Sequence, residues 1–255
     1  VFFDRWYRPE YAAVMLVGIL RLPRGSRTVW WLLWAMSVVL VLADAVYDTL
    51  LYGLGVSPIP SPADVLYVAA YIPQILALAL LVRRREPGQD RAAALDTALL
   101  TLALGSITLV LVVHPVVDGT VVVGHELVMA LVYPAIDVVV LAVLLRLLVG
   151  GTEHQPAMSV LTLSMAVTLG ADLAYNAVLL DGVDVAATAW TQYIYLAGEI
   201  LLVAAVFLRG ADTLAEPVTQ EQGVRPFRAW LIAVGCMTPV LLVVWTAWTA
   251  AATLR

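Results

Sequence analysis

The chain has 255 residues, 62% of them hydrophobic and only 13% charged, with mean hydropathy +0.94 and net charge −5. Soluble domains are about half apolar and about a quarter charged, so a soluble fold is not expected, and the acidic balance leaves no nucleic-acid footprint. All 14 basic residues are arginine, so no lysine exists to form a retinal Schiff base, and the single Cys236 excludes an internal disulfide or a multi-cysteine metal site.

Apolar segments recur along the whole chain, at about 7–22, 28–52, 63–82, 91–113, 127–149, 158–180, 187–208 and 227–250. Runs of about twenty apolar residues are the signature of membrane-spanning helices. The expectation is an all-α polytopic membrane bundle of about eight helices, one transmembrane domain over residues 1–255. The first segment is the weakest, because its clean apolar core covers only 11–20. The breaks carry turn chemistry: LPRGSR (22–27), GLGVSPIPSP (53–62), REPGQD (85–90), HPVVDGT (114–120), GGTEHQP (150–156) and DGVD (181–184). The chain opens on Val1 with no secretory signal pattern, which reads as a processed form or a fragment.

Arginine sets the expected orientation. Numbering the loops alternately, one side receives Arg21, Arg24, Arg27, Arg83, Arg84, Arg85, Arg91, Arg146, Arg209, Arg225 and Arg228, and the other only Arg5, Arg8 and Arg255. Positively charged loops stay cytoplasmic. The arginine side is therefore expected inside, in the cytoplasmic (inner) membrane. Trp30, Trp31 and Trp34, at the inner end of segment two, read as interface anchors.

Segment two runs uncharged from 29 to 43, then meets Asp44, Tyr47 and Asp48 on one helix face. Asp64, Tyr67, Tyr71 and Gln74 share a face of segment three. Tyr133 and Asp137 pair at i, i+4 on segment five, Ser164, Thr168, Asp172, Tyr175 and Asn176 share a face of segment six, and Gln192, Tyr195 and Glu199 do so on segment seven.

A shift of 128 residues superposes part of this pattern. Asp44 falls on Asp172, Tyr47 on Tyr175, Asp48 on Asn176, Asp64 on Gln192, Tyr67 on Tyr195 and Tyr71 on Glu199, without a gap. Polar residues are rare here, so their coincidence weighs more than that of Leu, Val or Ala. The reading is a four-plus-four duplication, with repeat one over about 1–120 and repeat two over about 121–255. An even number of spans per unit makes the copies parallel.

Given the arginine orientation, Asp44 to Asp48, Asp64, Tyr67, Tyr71, Tyr133, Asp137, Asp172, Tyr175, Gln192, Tyr195 and Glu199 fall in the outer halves of their helices, and Asp96 lies toward the inner side. A charged aspartate at mid-bilayer costs about 2.5–3.5 kcal/mol. No lysine or arginine of the outer half is there to pair these acids. They must be protonated, wet, bonded to tyrosine hydroxyls, or neutralised by a cation or cationic ligand against aromatic faces. The competing structural reading is interhelical Asp–Tyr bonding that only holds the bundle together, at about 0.6 kcal/mol per bond. Tyr67, Tyr133 and Tyr195 also suit an interface belt.

Weaker signals remain. His114, Asp118, His125 and Glu126 lie in or beside one outer loop, and a solvated loop explains them as well as zinc does. The Tyr133–Pro134 pair reads as a helix kink. No nucleophile–base set, phosphate loop or zinc-hydrolase motif is present, so no enzyme activity is expected of this chain.

The stretches LADAVYDTLLYGLG, SPADVLYVAAYIPQILALALLVRRREPGQDRAAALDTALL, ALVYPAIDVVVLAVLLRLL and GADLAYNAVLLDG carry D-x-x-Y pairs, P-x-D-x-x-Y, R-x-P-G-x-D-R and Y-P-x-x-D. Over about 16–209 the chain resembles the multi-pass N-terminal sensor region of actinobacterial cyclic-di-GMP signalling proteins, in which GGDEF and EAL domains follow the membrane part. The resemblance implies a sensory role. Neither GGDEF nor EAL occurs here. An output attached directly after segment eight would also start outside, so a ninth helix beyond Arg255 or a different fate for segment eight is expected.

Three functions follow as expectations: a sensor domain with an outward polar cavity, a proton- or cation-coupled transporter, and a structural subunit of a membrane complex. The expected partners are the lipid bilayer and a small ligand, cation or proton, with homo-oligomers open to it. No cofactor is named by the sequence.

Overall fold

The computed structural model describes residues 8–56, 61–85, 105, 125–150, 155–180 and 190–217. Among these there is no strand. The described helices are α1 (Arg8–Arg21), α2 (Arg27–Asp48), α3 (Pro62–Arg85), α4 (His125–Gly150), α5 (Pro156–Leu180) and α6 (Thr191–Phe207). The all-α expectation therefore holds for the described residues. Among the described residues two stretches are long and apolar enough to cross a membrane: Arg24–Gly53, 30 residues including α2, and Pro62–Arg85, 24 residues. At 1.5 Å per residue these span about 45 and about 36 Å, against a hydrocarbon core of about 30 Å. The 14 residues of α1 reach only about 21 Å, in keeping with the weakness of segment one. Segment eight, segment four apart from Gly105, and His114 and Asp118 of the loop lie outside the described residues, as does Asp96.

The chain divides into two compact units, Val1–Pro87 with Thr152–Val218, and Gly88–Gly151 with Thr219–Arg255. Each draws on both halves of the chain. Within the first, α2 pairs with α3 and α5 with α6 as two hairpins, and α1 packs on α2 and α6. Of the second unit, α4 is the described helix.

Local chemistry sets the helix ends. Arg27 donates from Nε to the Leu22 carbonyl and from Nη2 to the Leu20 carbonyl, both at 2.7 Å, which satisfies acceptors left over at the end of α1. At the start of α3, the Ser61 backbone N–H donates to Asp64 Oδ2 at 2.6 Å, and the Asp64 N–H donates to Ser61 Oγ at 3.3 Å. This is a reciprocal capping box, with Pro62 at the first helical position where its missing N–H costs nothing.

Packing between helices uses small residues. Ala43, Ala63, Ala70, Ala77, Ala171 and Ala205 are all buried, whereas Val65, Ile72, Leu76, Leu163 and Ile200 are exposed. These alanines lie among larger buried side chains such as Trp30, Leu33, Leu78, Leu161 and Leu202, and where a small residue faces another helix the two backbones can approach closely. At Gly198 an added Cβ would lie 2.5 Å from Thr168 Oγ1, so only glycine lets α6 approach α5 there. Ser164 Oγ donates to the Gly198 carbonyl at 2.8 Å across the same contact.

Candidate functional site: a paired aspartate–tyrosine constellation

The first hairpin brings Asp44 near the end of α2 beside Tyr67 near the start of α3. The Tyr67 hydroxyl donates to Asp44 Oδ1 at 2.6 Å. Directly after Asp48 the helix widens into a π turn over Thr49–Gly53, with the Leu54 N–H reaching the Thr49 carbonyl and the Val56 N–H the Leu50 carbonyl, both at 3.0 Å. Thr49 Oγ1 donates back to the Ala45 carbonyl at 2.7 Å. Wide turns of this kind often mark functional positions in helices. Tyr47, Asp48, Asp64 and Tyr71 are half-buried around the same end.

The second hairpin reproduces the bond. The Tyr195 hydroxyl donates to Asp172 Oδ1 at 2.7 Å. Both bonds join residues 23 positions apart, and the second lies 128 positions after the first. Burial follows the same offset: Leu33 and Leu161, Ala43 and Ala171, Ala63 and Thr191, Ala77 and Ala205, and Leu78 and Val206 are each at most 2% exposed. Tyr175, Gln192 and Glu199 are half-buried on this hairpin. Asn176 is on α5, but its side chain is outside the described residues.

Tyr175 of the second hairpin lies close enough to Tyr47 and Asp64 of the first for their charges to bear on one another, and Tyr47 likewise to Tyr52, Asp48 and Asp64. Deeper in the bundle, Gln74 Nε2 donates to Met165 Sδ at 3.0 Å, tying α3 to α5. Asp44, Asp64 and Asp172 therefore share one end of the unit with four tyrosines. Arg83, Arg84 and Arg85 stand at the other end of α3, about 30 Å from Asp64 along the helix. Carboxylates beside phenol hydroxyls and ring faces can accept a proton or hold a cation.

Tyr133 and Asp137 belong to α4 in the second unit, where Tyr133 is half-buried and Asp137 buried. His114 lies outside the described residues. His125 and Glu126 open α4, with side chains that are not described. Among the described residues no three of His, Cys, Asp and Glu are grouped to hold a metal.

Several residues have roles beyond those read from the sequence. Trp30 is fully buried, not an interface anchor, and its indole N–H donates to the Ala211 carbonyl at 2.8 Å. Trp34 likewise donates to the Ala12 carbonyl at 2.8 Å and fixes α1, while Trp31 is 37% exposed and meets Trp34 edge-on. Arg85 belongs to an arginine run read as loop charge, yet it is 3% exposed. Asp64, read as a ligand residue, also caps α3; the S-x-x-D pattern of residues 61–64 carried that signal.

No protein-family model, curated protein or solved structure matches this chain.

Proposed function

We propose that the chain is a membrane sensory or regulatory domain, and that its paired aspartate–tyrosine end is an outward-facing site for a small ligand, a cation or a proton. One observation carries this reading: the same Tyr–Asp bond forms in both hairpins, 128 residues apart, and Tyr175 of one hairpin interacts with Asp64 and Tyr47 of the other. Packing alone would not require the same Tyr–Asp pair at the same end of both hairpins. The shared offset in burial supports a duplicated bundle of about eight spans, and the arginine bias supports an inner-membrane orientation with the arginine loops cytoplasmic. Asp44, Asp48, Tyr71, Asp172 and Glu199 would line the site. The resemblance to cyclic-di-GMP signalling proteins suggests that occupancy is passed to GGDEF or EAL domains, which this chain does not contain. Such a signal requires the ligand to bind two states of the bundle with different affinity.

A thermal-shift screen across pH, cations and small amines tests the reading. The parent protein should be stabilised by at least one condition that leaves Asp44→Asn/Asp172→Asn unaffected. Identical responses of the two proteins across the whole screen would refute it.

A proton- or cation-coupled transporter is the second reading, favoured by the same pairing because duplicated bundles place coupling sites between their repeats. Proteoliposomes under an imposed pH gradient separate the two, since a sensor gives no flux. A structural subunit of a membrane complex is the third reading, in which the Tyr–Asp bonds only hold the hairpins.

A further inference from the structure

Residues 208–217, which follow α6, do not leave the bundle. Leu208 turns extended, at φ −86° and ψ 161°, and Gly210 takes φ +87°, where an added Cβ would lie 3.1 Å from Gln155 Cβ. That conformation favours glycine. The chain then lies across the arginine end of the other helices. Trp30 of α2 donates to the Ala211 carbonyl at 2.8 Å, and Arg85 Nη1 of α3 donates to the Leu214 carbonyl at 3.0 Å. The Arg209 carbonyl accepts from the Ala157 N–H at the start of α5, at 3.2 Å. Ala211 and Leu214 are buried to 2% and 1% exposure.

The pattern of anchors is informative. This segment is covalently part of the α5–α6 hairpin, but its buried side-chain bonds come from α2 and α3. A segment that merely ended α6 would need no buried indole and guanidinium from the other hairpin. A buried arginine is costly unless its donors are met, and here a backbone carbonyl of this segment meets one of them. Beside it opens a cavity of about 380 Å³, lined by Ser26, Arg84, Thr213 and Glu216 among others, which leaves room for displacement.

We propose that residues 208–217 are a strap that transmits the relative position of the two hairpins to the chain beyond Pro217. The four helices that meet at the polar constellation are bridged again at their far ends by this strap. A change in hairpin spacing at one end therefore loads the Trp30 and Arg85 anchors at the other. The proposal rests on the sensory reading for its purpose, but the clamp itself does not involve a ligand.

Hydrogen–deuterium exchange on the full chain in detergent tests it, read at the strap amides, which include those of Ala211 and Glu216. Trp30→Phe keeps the ring and removes the donor. It should speed strap exchange about fivefold or more and leave α6 unchanged; Arg85→Gln should do the same and serves if Trp30→Phe does not fold. Asp44→Asn/Asp172→Asn should alter strap exchange by at least about twofold in the parent and not in the Trp30→Phe background. Unchanged strap exchange in both anchor variants would overturn the clamp. A loosened strap in the anchor variants, with no response to the aspartate pair, would overturn transmission. Neither result depends on finding a ligand, so a failed ligand screen stays distinct from a failed strap.

Discussion

The α2–α3 and α5–α6 hairpins share one Tyr–Asp bond, at 2.6 and 2.7 Å, and differ in the polar residues around it. The first hairpin has Asp48, Asp64 and Tyr71 where the second has Asn176, Gln192 and Glu199. The bond is thus the constant element of the two frames, and the charge beside it is the variable one. Asp64 shows how a structural demand enters the difference. It closes a capping box with Ser61, whereas α6 begins after Trp190, which offers no side-chain cap, and Gln192 is under no such demand. Closeness differs as well: the first hairpin accommodates the methyl of Ala70 at the position where the second tolerates only Gly198.

The largest effect is expected at that last difference. Gly198→Ala should destabilise the protein by about 1–3 kcal/mol, because the added Cβ would meet Thr168 Oγ1 at 2.5 Å. Thr168→Ala should restore part of the loss, and Ala70→Gly should cost only about 1 kcal/mol; thermal unfolding in detergent reads all three. If Gly198→Ala is silent, the hairpins are not held at different distances. Next comes the cap: Asp64→Ala should cost about 1 kcal/mol and Gln192→Ala close to nothing. Equal losses would mean that the acid at position 64 has no structural task of its own. Tyr67→Phe and Tyr195→Phe should each cost about 0.6 kcal/mol and match one another. A marked inequality would break the equivalence of the two bonds. The one change expected not to destabilise is at Ser37, whose buried hydroxyl has no hydrogen-bond partner and whose counterpart is Met165. Ser37→Ala should be neutral or stabilising by up to about 1 kcal/mol.

Much of this was legible in the sequence because charge is so scarce. In a chain with 13% charged residues, rare aspartates and tyrosines at helical spacing define a face, and their recurrence at an offset of 128 pointed to where the second Tyr–Asp bond lies. The Tyr67–Asp44 and Tyr195–Asp172 partners were both in the constellation drawn from that pattern. What the sequence hid was tertiary. Nothing near Trp30 announces that residues 208–217 fold back over it, so an indole at the arginine end reads as an interface anchor. The Arg83–Arg85 run reads as uniform loop charge, but α3 continues through it. Successive helical residues point about 100° apart, so one of the three turns inward while Arg83 stays exposed. The π turn after Asp48 depends on how the chain exits α2 and has no residue signature in TLLYG.

The central claim is that the two aspartates belong to one site and are not two separate packing bonds. A double-mutant cycle on Asp44→Asn and Asp172→Asn, read as unfolding free energy under the condition that stabilises the parent most, measures this directly. One shared site predicts a coupling energy above about 0.5 kcal/mol, lost under non-stabilising conditions. Additivity within about 0.3 kcal/mol under both conditions would contradict the account and leave the bonds as bundle packing alone.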